Sequence, residues 1–160
     1  MIEEEVVNIL SKDLHTKVSE LKIEGYEMLV DLTVVDWYRK RDDRFELVIN
    51  LLSLSKKKRI RILSTILNEN LECESLTDIY SGSNFYEREA FDMYGIIFLG
   101  HPDLTRILMP DDWIGHPLRK DFGLVKDVFH TRHMKRLRGH VGIGHTRYAT
   151  IGTGDIEEVQ

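Results

Sequence analysis

Glu87, Arg88, Glu89 and Asp92 crowd three carboxylates and a guanidinium into six residues. On a helix, Arg88 and Asp92 (four apart) and Glu89 and Asp92 (three apart) share a face. Carboxylates paired in this way can serve as general acid and base. They can equally form an ion-pair lattice, with Arg88, Arg106, Arg119 and Lys120 neutralising Glu87, Glu89 and Asp92 and pinning the following segment to the helix. Phe85, Tyr86, Phe91 and Tyr94 interleave the charges. Such a helix is partly buried, where charged hydrogen bonds between arginine and carboxylate are strongest. The lattice is therefore the favoured reading.

Other reactive residue types give less. His130, His133, His140 and His145 cluster near the C-terminus, with Asp127 close by. A zinc site there would want a further ligand and supporting hydrogen bonds, and metal binding is not expected. Cys73 is the single cysteine. It excludes an intramolecular disulfide and a cysteine-ligated iron–sulfur cluster. No glycine-rich nucleotide loop is present.

The chain has 160 residues, 42% of them hydrophobic, enough for one domain with a substantial core. Its net charge of −5 offers no basic field for nucleic acid. No apolar run approaches the roughly 20 residues of a membrane span. The opening MIEEEVVNIL is acidic where a secretion signal is basic. A cytoplasmic location is expected.

The elements that must position the charged helix follow from periodicity. Ile2, Val6, Ile9, Leu10 and Leu14 fall at helical spacing and predict a short helix over 2–14. Tyr26, Met28, Val30, Leu32 and Val34 alternate and predict a strand with those residues on one face. Phe45–Leu52 and Arg59–Ile66 alternate likewise, and Lys17–Glu24 could add an edge strand. The links Arg39–Arg44 and Ser55–Lys58 are short, which favours antiparallel neighbours. Ser75 and Asp78 could cap a short helix. Asn84 with Glu87 resembles a capping box for the next, which Gly95 can end. Pro102, Pro110 and Pro117 then punctuate an extended arm. The expected fold is α+β: an antiparallel sheet of three to four strands covered by helices (1–83), the charged helix with its arm (84–122), and an irregular tail (123–160).

Three motifs in fixed order, EREAFDMYGI, GHPDLTRILMP and WIGHPLRKDF, strongly resemble the thirty-kilodalton subunit family of respiratory complex I. The J subunit of the plastid and cyanobacterial NAD(P)H dehydrogenase is a similarly short form. MLVDLTVVDWY and RFELVINLLSLSKKKRIRI look like that family's core strands. The resemblance covers roughly residues 25–122. It implies a non-catalytic peripheral-arm subunit that packs against the large quinone-site subunit and neighbouring hydrophilic subunits. The membrane would be met only through the complex, on the cytoplasmic side, or on the stromal side of a thylakoid. NAD(P)H, flavin, iron–sulfur clusters and quinone would be bound elsewhere in the assembly, with no cofactor held by this chain.

By that resemblance Glu87, Arg88, Glu89, Asp92, Gly95 and Arg106 form a structural clamp. His101, Pro102, Pro110, Trp113, His116, Pro117, Arg119, Lys120 and Asp121 form a docking arm. Thr105 stands where relatives usually carry a basic residue or proline, so one arm contact is expected to be lost. Alternatives are the equivalent subunit of a membrane-bound hydrogenase or deazaflavin-dependent dehydrogenase, or a free-standing metal-binding or hydrolytic enzyme.

The tail carries a second resemblance. RGHVGIGHTRYATIG (138–152) is similar to an internal motif of class II glutamine amidotransferases, in which the arginine matching Arg147 helps hold glutamine. Those enzymes use an N-terminal cysteine as nucleophile. This chain begins Met1-Ile2 and its cysteine lies mid-chain, so amidotransfer is not expected. The segment reads as a fusion or gene-boundary relic, less ordered than the core.

Overall fold

The computed structural model describes residues 3–67 and 70–121. The chain divides into two compact units, Met1–His116 and Pro117–Gln160. Of the second unit, residues 117–121 are described, in turn and bend conformation. The expectations for the zinc-like histidines and for the amidotransferase-like tail lie outside the described residues.

The first unit runs β1 (Glu3–Leu10), a 3-10 turn (Ser11–Asp13), α1 (Leu14–Ile23), β2 (Met28–Asp36), β3 (Phe45–Ser53), β4 (Lys58–Ile66), β5 (Glu72–Glu74), α2 (Ser83–Tyr94) and β6 (Ile97–Leu99). This is the expected α+β class. β2, β3 and β4 form the predicted antiparallel meander, and β1 joins it parallel to β4, giving the order β1-β4-β3-β2. β5 and β6 make a separate parallel pair.

Two local expectations are overturned. The segment expected as a helix over 2–14 is a strand for most of its length. Val6, Val7 and Ile9 are β-branched and favour extended backbone, and Val7 and Ile9 pack on the core while Val6 is half exposed. The stretch Lys17–Glu24, read as an edge strand, is the body of α1. Leu14, Val18 and Leu21 fall at positions i, i+4 and i+7 and are all buried, a helical stripe that the charges between them obscured.

In β2 the alternation breaks. The register shifts between Leu29 and Asp31, a bulge that places one extra residue in the strand. Leu32 and Val34 stay in the core. Met28 and Val30, expected on that face, are exposed, and Leu29 packs inward instead. The Tyr86 hydroxyl donates to the Val30 carbonyl at 3.0 Å, supplying a partner to the bulged backbone.

The core gathers Leu14 and Val18 of α1, Leu47, Ile49 and Leu51 of β3, Ile60 and Ile62 of β4, and Leu76, Ile96 and Phe98 beyond the sheet. α2 packs against β2. The β2–β3 tip is a lattice of charge around the buried carboxylates of Asp36 and Glu46. Arg44 grips Asp36 at 2.7 and 2.8 Å, and Arg41 bridges Asp43 and Glu46. Lys57, at the β3–β4 tip, adopts a left-handed φ of 55°.

Candidate docking site on the second helix

α2 starts without a side-chain cap. Gly82 occupies the N-cap position, so Asn84 and Glu87 form no capping box. Glu87 turns instead toward the chain before the helix. It is fully buried, and its carboxylate accepts from the Leu76 amide at 2.7 Å and the Ser75 hydroxyl at 2.6 Å. Ser75 also accepts from the Thr77 amide, at 3.2 Å. The capped helix expected at Ser75–Tyr80 is accordingly a turn stitched to α2, and Asp78 binds His15 at 2.9 Å. Burial pushes the Glu87 carboxyl above its ordinary value, against the pull of Ser75 and Leu76.

Gly95 ends the helix as the sequence predicted, with φ 76° and its amide on the Phe91 carbonyl at 2.8 Å. The turn sends β6 and the following arm back along α2. Asp92, also fully buried, then organises the arm. One carboxylate oxygen meets the Arg106 guanidinium at 2.5 Å. The other accepts three consecutive backbone amides, from Ile107 (3.1 Å), Leu108 (2.8 Å) and Met109 (2.8 Å).

Arg106 extends the cluster. Its second terminal nitrogen donates to the carbonyls of Trp113 (3.2 Å) and Gly115 (3.0 Å), and its first also reaches the Asp92 carbonyl at 3.2 Å. His116 Nδ1 lies 3.0 Å from that same carbonyl. Burial raises the Asp92 pKa, but the Met109 amide, Arg106 and the Leu108 and Ile107 amides outweigh it and hold the carboxyl below its ordinary value.

Two of the expected pairings are replaced. Arg88, four residues from Asp92, does not bind it. Its guanidinium donates to the Thr105 carbonyl, the Thr105 hydroxyl and the Arg106 carbonyl, each at 3.1 Å. Arg106 and three arm amides already engage both oxygens of that carboxylate. Thr105, expected to lose an arm contact, supplies one through its hydroxyl. Glu87 meets a hydroxyl and an amide rather than a guanidinium, and Glu89 is exposed.

His101 sits at the start of the arm. Its Nδ1 accepts the Asp103 amide at 3.0 Å, leaving Nε2 to donate to the Asn84 carbonyl at 3.4 Å. Pro102 and Pro110 are exposed, and Pro110 accepts the Trp113 amide in a turn at 2.9 Å. Trp113 is buried. Pro117, Arg119, Lys120 and Asp121 fall in the second unit.

This arrangement commits its buried charge to holding shape. Both carboxylates are fully buried, and both oxygens of each accept hydrogen bonds from the protein itself. Burial pushes the Cys73 thiol far above its ordinary value, which keeps it unreactive. Among the described residues no group of three or more His, Cys, Asp or Glu could hold a metal ion. Among those residues also, no helix is long and apolar enough to cross a membrane.

The second helix of this α+β domain pins an extended arm through an aspartate–arginine pair, and its relatives give the chain a lineage. Residues 7–128 match the family described as the 30 kDa subunit of respiratory-chain NADH dehydrogenase, and the chain belongs to that family. The C subunit of the NADH-quinone oxidoreductase of Roseiflexus castenholzii is 47% identical over 116 residues, covering 72% of this chain and 66% of that one. Its counterpart from Rhodobacter capsulatus is 52% identical over 97 residues, 61% of this chain and 48% of its own length. The chain thus spans less than two thirds of these curated relatives.

Among solved structures, a trypsin-resistant fragment of Nqo5 matches with TM-score 0.56 and 28% identity, over 63% of this chain and 81% of the fragment. A chain from the structure of an archaeal membrane-bound sulfane sulfur reductase matches with TM-score 0.71 over 92% of this chain and 86% of its own. At 19% identity it shares the fold alone. The family match stops at residue 128, short of the amidotransferase-like segment.

Proposed function

We propose that this chain is a non-catalytic peripheral-arm subunit of a complex I-like NAD(P)H:quinone oxidoreductase. It holds the quinone module against the large quinone-site subunit while electron transfer is coupled to proton movement. The observation that carries the reading is the Asp92 cluster. A buried carboxylate, one guanidinium and three consecutive amides fix an irregular segment that would otherwise be mobile. A domain that invests its buried charge in shaping a surface segment is suited to docking, and family membership supplies the assembly in which it docks. The clamp consists of Glu87, Arg88, Asp92, Gly95 and Arg106; the arm runs from His101 to Asp121. Flavin, iron–sulfur clusters and quinone belong to partner subunits, and the chain meets the cytoplasmic face of the membrane through them.

The test is purification of the assembly through a tag on the full chain. Stoichiometric recovery of a partner bearing the quinone site, together with NAD(P)H:quinone turnover, is the expected result. Recovery of the chain alone, or turnover by the isolated chain, overturns the reading.

A further inference from the structure

The arm displays aliphatic side chains that its own fold does not use. Leu108 is 62% exposed and Ile114 is 86% exposed, with Ile107 at 39% beside them. Single exposed aliphatics are ordinary on a protein surface. These differ because their backbones hang from one ion pair. The Leu108 amide binds Asp92, and the carbonyls on either side of Ile114, those of Trp113 and Gly115, both bind the Arg106 that Asp92 holds. Trp113 turns inward and is buried while Ile114, its neighbour, turns outward. The ordering cost of presenting both side chains is therefore met within the free chain, a condition that favours tight association. Between His101 and His116 the exposed charged residues are Asp103, Asp111 and Asp112, and the arginine of that stretch, Arg106, is held by Asp92.

We infer that Leu108 and Ile114 are the apolar anchors of the docking arm, and that they fit a protein surface with an aliphatic socket rimmed by lysine or arginine. This rests on the docking role proposed above and names the chemistry of the partner surface. The acids steer and orient the encounter, and the two side chains supply the desolvated centre.

The test measures binding of the full chain to the complex isolated from cells that lack it. Leu108→Ser and Ile114→Ser should each raise Kd at least tenfold, with the melting temperature of the free chain little changed, because both side chains are mostly exposed. Asp111→Lys should slow association at least threefold and flatten its dependence on salt. If the wild-type chain does not bind, the docking role itself falls. If it binds and both serine variants match it, the anchors are refuted while docking stands. Unchanged or faster association of Asp111→Lys refutes the basic rim. Dimerisation of the free chain that is abolished by Leu108→Ser, or binding of the free chain to phosphatidylglycerol vesicles that is abolished by Ile114→Ser, would identify a second copy or a membrane as the occupant and overturn the proposal.

Discussion

Glu87 and Asp92 stand on one helix and are both fully buried, yet they solve burial in opposite ways. Glu87 faces the turn at Ser75–Thr77 and receives a hydroxyl and an amide, and burial lifts its pKa. Asp92 faces the arm and receives a guanidinium and three amides, and its pKa is depressed. The first joins helix to core, where regular elements already supply most of the order. The second must order a segment without a ladder of its own, and only a charge with several donors can organise so many loose backbone groups.

The largest test of this contrast is Asp92→Ala, which strands Arg106 and frees three amides. A loss of about 3–5 kcal/mol is expected in urea unfolding, as for one partner removed from a buried pair. A loss under about 1 kcal/mol would show that the arm holds itself. Glu87→Ala should cost about 1–3 kcal/mol, the penalty for leaving the Leu76 amide and Ser75 hydroxyl unsatisfied, with no speeding of amide exchange at 107–109. Faster exchange there would mean the two ends of α2 are coupled.

Acid titration separates the carboxylates by sign. The Asp92 contribution should be complete above the unfolded aspartate value of about 3.9 and vanish as pH falls through its lower folded value. The stability gap between wild type and Asp92→Asn therefore narrows in acid. Glu87 works the other way. Its folded state holds the proton more tightly, so its contribution weakens as pH rises from the unfolded glutamate value of about 4.3 toward the raised folded one. Glu87→Gln should gain on wild type across that interval, and a gap constant with pH would contradict the raised value. The smallest effect is expected for Thr105→Val, at roughly 0.5–1.5 kcal/mol, since the Thr105 and Arg106 carbonyls still hold Arg88.

Much of this was legible in the sequence. The meander β2–β4 was visible because alternation and short charged links act over neighbouring residues, and Gly95 announced its helix end through the left-handed conformation that glycine adopts without steric cost. The Asp92–Arg106 pair was legible as a class of interaction, an arginine neutralising a buried acid, although Glu87 does without one. The partner of Arg88 was not. It binds backbone carbonyls, and every residue owns one, so no side-chain pattern could mark Thr105. The amides on Asp92 were hidden for the same reason. β1 and α1 were exchanged because over a short run the helical and strand spacings of apolar residues coincide, and tertiary pairing decided between them.

That pairing has a consequence for synthesis. β1 leaves the ribosome before β4, but among the described residues its hydrogen-bonded neighbour in the sheet is β4 alone, with Glu3 level with Lys58 and Leu10 level with Thr65. The hairpins of β2, β3 and β4 close over short loops and can form as they emerge, whereas β1 must wait for the whole meander. Within the four-stranded sheet, the earliest strand in the chain is thus the last to be seated. Until then the nascent chain offers its ribosomal surroundings an open edge on β4, and chaperone contact during translation should concentrate there.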